Sequence, residues 1–288
     1  MDSTPHIFDT EHIRQRRARA APRFAAHDFL HRRVALEIVD RLETVTRSFQ
    51  RAVIFGPGAA HVVETLTPAC GVGQVHAARQ ATAHAGDFVG EEEAAPFAPQ
   101  SLDLIISSLA LHAANDMPGA LAQLRRALKP DGLFIGALFG GDTLVELRTA
   151  FQLAEAELEG GVSPRIYPYA EIRDLGGLLQ RAGFALPVTD LDRIDARYET
   201  PLDLLRDLRG MGETNALASR RRRFLRRGTF LRAMDIYKER FQTKDGRTPA
   251  TFNIVFLTGW APHDSQQKPL APGSAKTSLE KAVIAKKV

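Results

Sequence analysis

Apolar residues recur along this chain in two patterns, and the alternation of these patterns predicts the order of its secondary structure. Residues 102–109 and 133–139 are nearly continuous apolar runs. Such runs are typical of parallel strands that helices cover on both faces. Between the two runs Asp116 can cap a helix, and the apolar positions that follow have helical spacing: Met117, Leu121, Leu124 and Leu128. The centre of the chain is therefore predicted as strand, helix, strand.

The same patterns predict further elements on both sides of this unit. Before it we expect a helix (27–45) and three strands (51–55, 72–77 and 86–89). The third strand is weak, and the connection between the second and the third is very short. After it we expect a long helix capped by Asp142 (144–158), a second helix (170–182) and a mixed strand (188–194). A third helix from Thr200 (200–208), a pair of basic helices (216–226 and 229–242) and a last strand (251–260) follow.

Alternating strands and helices predict an α/β fold in which helices cover both faces of a parallel sheet. In such sheets, ligands bind at the carboxyl ends of the strands, where the strand order reverses. Four loop segments fall at these strand ends: Gly56–Gly58, Glu91–Glu93, Ser107–Asp116 and Gly140–Asp142. We expect them to converge on one rim of the sheet and to enclose a shared cavity.

Composition limits the class of protein and the kinds of site. Of the 288 residues, 44% are hydrophobic and 25% are charged, which is typical of a soluble globular protein. The one cysteine, Cys70, excludes an internal disulfide and a multi-cysteine metal site. No signal peptide or membrane-spanning run is apparent, so we expect a cytoplasmic protein with peripheral contact to the inner membrane possible. We divide the chain into a basic arm, a globular domain with a helical insertion near 200–245, and a disordered tail: residues 1–26, 27–261 and 262–288.

Several long segments, in order along the chain, resemble one known family. They are residues 107–118, 128–148, 159–169, 174–184, 207–215 and 249–260. The chain resembles the complex I assembly factor 5 family of the class I S-adenosylmethionine (SAM) methyltransferase superfamily, which is related to the malonyl-carrier-protein methyltransferases. The resemblance implies a Rossmann-like, doubly wound, mostly parallel seven-stranded sheet with an antiparallel last strand and a helical insertion before it. Eukaryotic members of the family hydroxylate an arginine in a quinone-module subunit of respiratory complex I.

The chain departs from the family pattern where the cofactor would be held. The acidic residue of the first motif is replaced by Ile54, and the third glycine by Ala60. The acid that would bind the ribose hydroxyls aligns with Ala78, whereas the acid after the third strand is kept as Glu91. Loss of one charged hydrogen-bond partner costs about 1–3 kcal/mol, or roughly ten- to a hundred-fold in affinity. We therefore predict that SAM binds weakly or not at all.

The candidate cofactor residues lie on three of the four rim segments. A glycine turn after a strand allows close approach of the backbone to a ligand, although the same turn also serves as a plain strand–helix connection. The acidic segment can bind a ribose or an adenine amino group, or it can be a solvated loop. Together the candidates are Gly56, Pro57, Gly58, Glu91, Glu92, Ser107, Ser108 and Leu109.

The candidate catalytic and substrate residues follow the fourth and fifth strands. His112 can act as an acid or a base near neutral pH, or can bond a backbone carbonyl group. Asp142 can face the substrate or only cap a helix. Gly140 and Gly141 give a flexible loop, and Tyr167 either walls the substrate cleft or packs over the core. No second ligand cluster accompanies the acidic residues, so no metal is assigned.

Three hypotheses of function follow. The first is an enzyme that modifies a protein substrate, with arginine hydroxylation implied by the resemblance and a quinone-module subunit as the partner. The second is methyl transfer to a small acid, a carrier-bound thioester or a protein. The third is a non-catalytic assembly chaperone. The arginine-rich segment 220–227 can bind an acidic protein or anionic lipid, or can be a solvated surface. No nucleic-acid recognition motif accompanies it, and the oligomeric state is not indicated.

Overall fold

The computed structural model describes residues 6–79 and 87–267. Its strands are β1 (Phe49–Phe55), β2 (Val72–Arg79), β3 (Phe88–Val89), β4 (Leu102–Ser108), β5 (Leu128–Phe139), β6 (Ala185–Tyr198) and β7 (Thr248–Trp260). Its α-helices are α1 (Thr10–Ala20), α2 (Phe29–Glu43), α3 (Ala59–Thr65), α4 (Met117–Ala127), α5 (Val145–Glu159), α6 (Ile172–Arg181), α7 (Pro201–Gly210) and α8 (Arg227–Phe241). Most of the tail that we predict as disordered, and the segment 80–86, lie outside the described residues.

The strands form one seven-stranded sheet in the order β3-β2-β1-β4-β5-β7-β6. Strands β1 to β5 pair in parallel, whereas β7 runs antiparallel to both β5 and β6. The predicted α/β fold class is confirmed, including the antiparallel last strand and the helices α7 and α8 inserted before it. The strand order reverses between β1 and β4, and their adjacent carboxyl ends are the position where such a fold holds a ligand.

Helices cover both faces of the sheet, and the strand residues alternate between the two layers. Along β4, Leu104 and Ile106 join the core that includes α2, α5 and α8, whereas Ile105 joins the core that includes α4 and α6. Ile54, which replaces the acid of the first family motif, is fully buried in the former core. Burial of each such aliphatic side chain contributes about 1.5–3 kcal/mol, so Ile54 stabilises the fold where an acid would bind a ligand.

The prediction of a helix over residues 216–226 is wrong. Leu217 instead forms a β-bridge with Phe8, and two backbone hydrogen bonds tie this segment to the N-terminal residues. The N–H of Asp9 donates to the carbonyl group of Ala216, and the N–H of Ala218 donates to the carbonyl group of Ile7. Pairing with a distant segment satisfies backbone groups that a helix would satisfy locally, so helical spacing alone misled the assignment.

The arm, despite its weak apolar periodicity, is ordered and helical from Thr10 to Ala20. The side chain of Asp9 caps α1 by accepting a hydrogen bond from the N–H of His12. Asn115, at the β4 end of the sheet, binds both the N–H and the carbonyl group of Phe8. These contacts hold α1 across the carboxyl ends of the strands. Among residues 6–79 and 87–267, no helix is long and apolar enough to cross a membrane.

Candidate active site

The glycine turn after β1 and the end of β4 are in direct contact. Gly56 has a φ of +101°, which side-chain-bearing residues rarely adopt, and a Cβ atom built on it would lie 2.0 Å from the Ser108 carbonyl oxygen. A Cβ atom on Gly58 would lie 2.9 Å from Ser108 Oγ and 3.0 Å from Nδ1 of His31. The predicted segments Gly56–Gly58 and Ser107–Leu109 therefore meet at one point of the rim, and α2 covers them with His31.

The three glutamates after β3 point to three different partners. Glu92 is buried and accepts a hydrogen bond of 2.7 Å from Ser107 Oγ, while burial raises the pKa of its carboxyl group. Glu91 accepts two hydrogen bonds from Arg14 of α1, at 2.7 and 2.8 Å. Glu93 accepts one from the N–H of Asp116. Of the three, Glu92 is the one that contacts the end of β4, and Glu91 is engaged by the N-terminal helix.

Helix α1 fills the space above the acidic segment. Its residues Ile13 and Arg17 are 8% and 4% exposed. The cavity that remains between α1, Glu91–Glu93 and Ala110–Ala114 has a volume of about 30 Å³, which is close to the space that one water molecule takes in the liquid. Two of the four predicted segments thus border this rim cavity, but α1 leaves no room for a nucleoside there.

The residues at the strand ends do not fit the adenosyl group of SAM. Ala78, at the position of the ribose-binding acid, is 2% exposed and has no hydrogen-bonding side chain. The Cβ position of Gly58 is closed by His31 and Ser108, and Glu91 is neutralised by Arg14. Both ring nitrogens of His31 and the hydroxyl of Ser108 are buried without a hydrogen-bond partner among the described residues. Burial lowers the pKa of His31 to about 3, against a smaller opposing effect of Glu213, so the ring is neutral.

A buried carboxylate, Glu213, is the centre of a charged cluster beside this rim. Its Oε1 lies 3.1 Å from Nη2 of Arg17, and its Oε2 lies 3.2 Å from Nε2 of His112. The three side chains are 6%, 5% and 0% exposed, respectively. Burial by itself raises the pKa of Glu213, but Arg17 and His112 outweigh that effect and lower it to about 2. The carboxylate is therefore anionic at every physiological pH.

His112 lies in the short 3-10 turn that follows β4, where the sequence predicts a catalytic histidine. Its ring contacts Phe139, with centroids 4.8 Å apart, and lies against Tyr167 and Tyr169. Nδ1 of His112 is buried and has no hydrogen-bond partner in the part of the chain that the structure describes. The alternative of a rim histidine that bonds a backbone carbonyl group is not what the structure shows, because Nε2 faces Glu213.

An aromatic pocket of about 210 Å³ adjoins the charged cluster. Tyr167 and Tyr169 stand on one side, their ring centroids 6.0 Å apart, and the Tyr167 hydroxyl donates to the carbonyl group of Thr214. Burial raises the pKa of both phenols, so they are neutral. The pocket is lined by Leu144, Leu147, Phe151, Arg165, Ile166, Tyr167, Tyr169, Leu205, Leu208, Arg209, Glu213, Thr214 and Asn215. The predicted substrate residue Tyr167 therefore lines a cleft and also packs against its neighbours.

The glycine loop after β5 is held by backbone bonds beside this pocket. The N–H groups of Gly140 and Gly141 donate to the carbonyl groups of Asn253 and Ala170. Helix α5 starts later than predicted, because its N-cap is Leu144 rather than Asp142. Asp142 is exposed. The predicted cap is wrong: backbone bonds of Gly140 and of Leu144, the latter to Thr251, fix the loop before the helix begins.

Sequence reasoning missed Arg17 and indicated Glu213 only as one residue of a polar glycine loop, 210–215, that could face the substrate. The segment 207–215 resembles its family counterpart and contains a glycine-rich polar loop, which is the available signal for Glu213. Nothing in the basic arm marks Arg17, which lies 196 positions away from its partner. Among residues 6–79 and 87–267, no three His, Cys, Asp or Glu side chains are grouped so that they could hold a metal ion.

Comparison with known proteins identifies relatives of two kinds. A family profile described as "Methyltransferase domain" matches residues 57–136. "Arginine-hydroxylase NDUFAF5, mitochondrial" of Danio rerio is 42% identical over 88% of this chain and 81% of its own length, and that of Homo sapiens is 41% identical over 96% and 83%. "Malonyl-[acyl-carrier protein] O-methyltransferase" of Gallionella capsiferriformans is 31% identical over 89% and 92%.

Two solved structures share the fold. YcgJ of Bacillus subtilis is similar with a TM-score of 0.54 and 15% identity, covering 80% of this chain and 99% of its own. A methyltransferase-like protein of Bacillus halodurans has a TM-score of 0.51 and 13% identity, covering 79% and 99%. At these identities, the similarity concerns the arrangement of strands and helices alone.

Proposed function

The chain belongs to the methyltransferase-fold family that contains the NDUFAF5 arginine hydroxylases and the malonyl-carrier-protein O-methyltransferases, and we propose that it is an enzyme that hydroxylates an arginine of a protein substrate. Identity is 42% to the hydroxylase of Danio rerio and 31% to the methyltransferase of Gallionella capsiferriformans. The observation that carries the proposal is the buried anionic Glu213 beside the aromatic pocket.

The pocket has the chemistry that an arginine side chain requires. A guanidinium group is planar, is always charged, and binds a carboxylate through paired N–H donors. It also stacks on aromatic faces, and here Tyr167 and Tyr169 line the same cavity as Glu213. A malonyl thioester is an acid, and a buried carboxylate at the pocket would repel it. The buried carboxylate of Glu213 therefore supports a cationic substrate, and it has to outweigh the positive charge that Arg209 adds to the same lining.

Glu213 has the capacity for one more charged partner. A carboxylate has about four acceptor positions, of which Arg17 and His112 take one on each oxygen. The two partners fix the orientation of the carboxylate, which keeps the site ready for the substrate before it binds. We assign Glu213 to binding of the substrate guanidinium group, and Arg17 to positioning of Glu213.

The proposed reaction inserts one oxygen atom into a C–H bond of the substrate arginine. Insertion of one oxygen atom from dioxygen consumes two electrons and two protons and releases one water, so the reaction needs an external two-electron donor and a redox-active group that activates dioxygen, and the described residues supply neither. The roles of this chain's residues are to bind, to orient and to exclude water. His112 remains the proposed catalytic residue, because it pairs with Glu213 and its ring lies against Tyr167 and Tyr169 of the pocket. Gly140, Gly141 and Asp142 remain a proposed substrate-facing loop.

We propose that SAM binds weakly or not at all. The substitution of the ribose-binding acid by Ala78 and the small cavity that α1 leaves at the rim support this. Isothermal titration calorimetry of the full chain with SAM should give no binding at low-micromolar concentration. A low-micromolar dissociation constant, together with transfer of a labelled methyl group, would instead favour the methyl-transfer alternative.

The non-catalytic alternative is an assembly chaperone that keeps the fold and has lost the cofactor. The closure of the rim by α1 favours it. Whether the protein is a hydroxylase or a chaperone, we propose that it is cytoplasmic with peripheral contact to the inner membrane. We also propose that it acts on a quinone-module subunit of respiratory complex I, which is the partner that the family resemblance implies. Exposed Phe224, which directly follows Arg222 and Arg223, is a suitable membrane contact.

Deletion of the gene tests the proposal. Mass spectrometry of the quinone-module subunits from the wild-type host should find one arginine heavier by an oxygen atom, and the deletion host should lack this addition. An arginine with the same mass in both hosts would reject hydroxylation. If the subunit carries no modification in either host but complex I fails to assemble in the deletion host, the chaperone alternative is correct.

A further inference from the structure

A second cavity, outside the aromatic pocket, is lined by a cluster of arginines. A groove of about 600 Å³ runs between the N-terminal segment, consisting of α1 with the 3-10 turn Ala21–Ala26, and helix α7. It is lined by Arg16, Arg19, Ala20, Arg23, His27, Arg206, Arg209, Gly210 and Thr214. We propose that this arginine groove binds an acidic segment of the protein substrate, next to the arginine that enters the pocket. The inference rests on the proposed function.

The groove carries charge that the described residues do not neutralise. Arg206 forms an ion pair with Asp203, 2.6 Å long, and His27 forms one with Asp207. The other arginines have no carboxylate partner among residues 6–79 and 87–267: Arg16, Arg19, Arg23 and Arg209. Clustered like charges raise the local potential and attract an anionic partner. An acidic ligand would relieve a repulsion that the folded protein otherwise retains.

The positive charges around the groove act on the guanidinium group of Arg16. It is half-buried, and its Nε bonds to Nε2 of His12 at 3.1 Å. Burial lowers the pKa of Arg16, and the positive charges of Arg19, Arg209 and Arg220 lower it further. A half-buried guanidinium group is attracted to an incoming carboxylate more strongly than an exposed one, because solvent screens less of the attraction.

The groove is continuous with the aromatic pocket. Arg209 and Thr214 line both cavities. Gly210, at the end of α7, lines the groove and begins the loop that carries Glu213 to the pocket. A polypeptide that lies in the groove can therefore place a neighbouring side chain in the pocket without leaving the surface. This continuity favours the substrate over an unrelated anionic partner.

The lining also favours a peptide over a nucleic acid. Proteins that bind single-stranded nucleic acid stack successive bases on aromatic side chains, and no Phe, Tyr or Trp is among the residues that line this groove. Arginine forks bind carboxylates in a bidentate geometry. Carboxylates repeated along a peptide therefore match the arginines of the groove.

The test is a binding measurement that does not depend on turnover. The probe is a fluorescein-labelled synthetic peptide with six glutamates, two glycines and one arginine, titrated with the full chain at low salt and followed by fluorescence anisotropy. The test variant is Arg19→Glu with Arg23→Glu, since both residues are exposed groove residues. The matched control, Arg173→Glu with Arg181→Glu, changes the net charge equally at exposed positions of α6.

We expect the groove variant to bind the peptide at least about ten-fold more weakly, and the control variant to bind within about two-fold of wild type. Equal weakening in both variants, or no weakening in either, would overturn the proposal. So would tighter binding of an RNA hexamer than of the peptide. A second peptide has glutamine in place of arginine and so cannot place a guanidinium group in the pocket. Its binding measures the groove alone, which separates this proposal from the proposed function. If the groove variant also leaves arginine modification in the host unchanged, the groove has no part in substrate docking, even though hydroxylation stands.

Discussion

Neutralising Glu213 is the perturbation whose effect the structure specifies best. The substitution Glu213→Gln keeps the size of the side chain but removes its charge. It removes the carboxylate that pairs with the guanidinium group of Arg17, which is 5% exposed. Removal of one partner of a buried ion pair costs about 3–5 kcal/mol, because the remaining charge stays desolvated. We expect the free energy of unfolding to fall by that amount at pH 7.5.

For a domain of this size, about 3–5 kcal/mol corresponds to a fall in Tm of roughly 6–15 °C. The loss can be measured on the full chain by urea denaturation and by thermal melting. The matched control is Glu157→Gln, because Glu157 is 50% exposed and pairs with Arg232 on the surface. Exposed pairs contribute at most about 1 kcal/mol, so the control should change Tm little.

A double-mutant cycle separates the pair from a general loss of packing. Arg17→Met combined with Glu213→Gln removes both charges, and the combined loss should be smaller than the sum of the single losses by about 1–3 kcal/mol. The pKa of Glu213 is lowered from 4.5 to about 2 in the folded state. Its stabilising effect is thus complete above pH 4.5 and is lost as the pH falls toward 2. Additive losses, or a loss below about 1 kcal/mol in Glu213→Gln, would show that Arg17 and Glu213 do not form a stabilising buried pair.

Three further predictions concern the rim. The pKa of His31 is lowered from 6.5 to about 3, so its contribution is complete above pH 6.5 and falls below it. Urea denaturation should show about 1.4 kcal/mol less stability at pH 5.5 than at pH 7.5, a difference that His31→Leu removes. Gly56→Ala should prevent folding or cost more than about 3 kcal/mol, as judged by circular dichroism, because its Cβ would lie 2.0 Å from the Ser108 carbonyl oxygen. Asn115→Ala should speed amide hydrogen exchange at Phe8, since it removes two hydrogen bonds; unchanged exchange would contradict that role.

The elements that the sequence predicts best are those whose local signals agree. Strand β4 and helix α4 lie where the apolar run and the cap residue Asp116 place them, and the Asp116 side chain accepts the expected bond from the N–H of Gly119. Strand β5 includes the predicted run 133–139 but begins at Leu128, which the helical spacing wrongly placed on the helix. Helical spacing failed at residues 216–226, because pairing with the N-terminal segment outweighs local propensity. The prediction that Asp142 caps α5 was wrong for a similar reason, because backbone bonds to the distant strand β7 fix the loop before the helix.

The site was predictable only in part, because its charges meet across long sequence separations. The rim itself follows from the strand order, and His112 lies at the end of β4 as expected. The pairing of Arg17 with Glu213 joins the arm to the loop after α7, and no local pattern marks it. The arginine groove arises in the same way, from an arm and an insertion that are separate in the sequence. Tertiary contacts between such segments require the folded structure.

Glu213 is proposed to receive the substrate arginine, and complementation of the deletion host can decide this. The host receives the wild-type gene, Glu213→Gln or Glu157→Gln at matched protein levels, and mass spectrometry measures the fraction of the modified arginine. We expect the wild type and Glu157→Gln to restore the added oxygen atom and Glu213→Gln to leave the arginine unmodified. Full restoration by Glu213→Gln would show that the substrate arginine does not depend on this carboxylate.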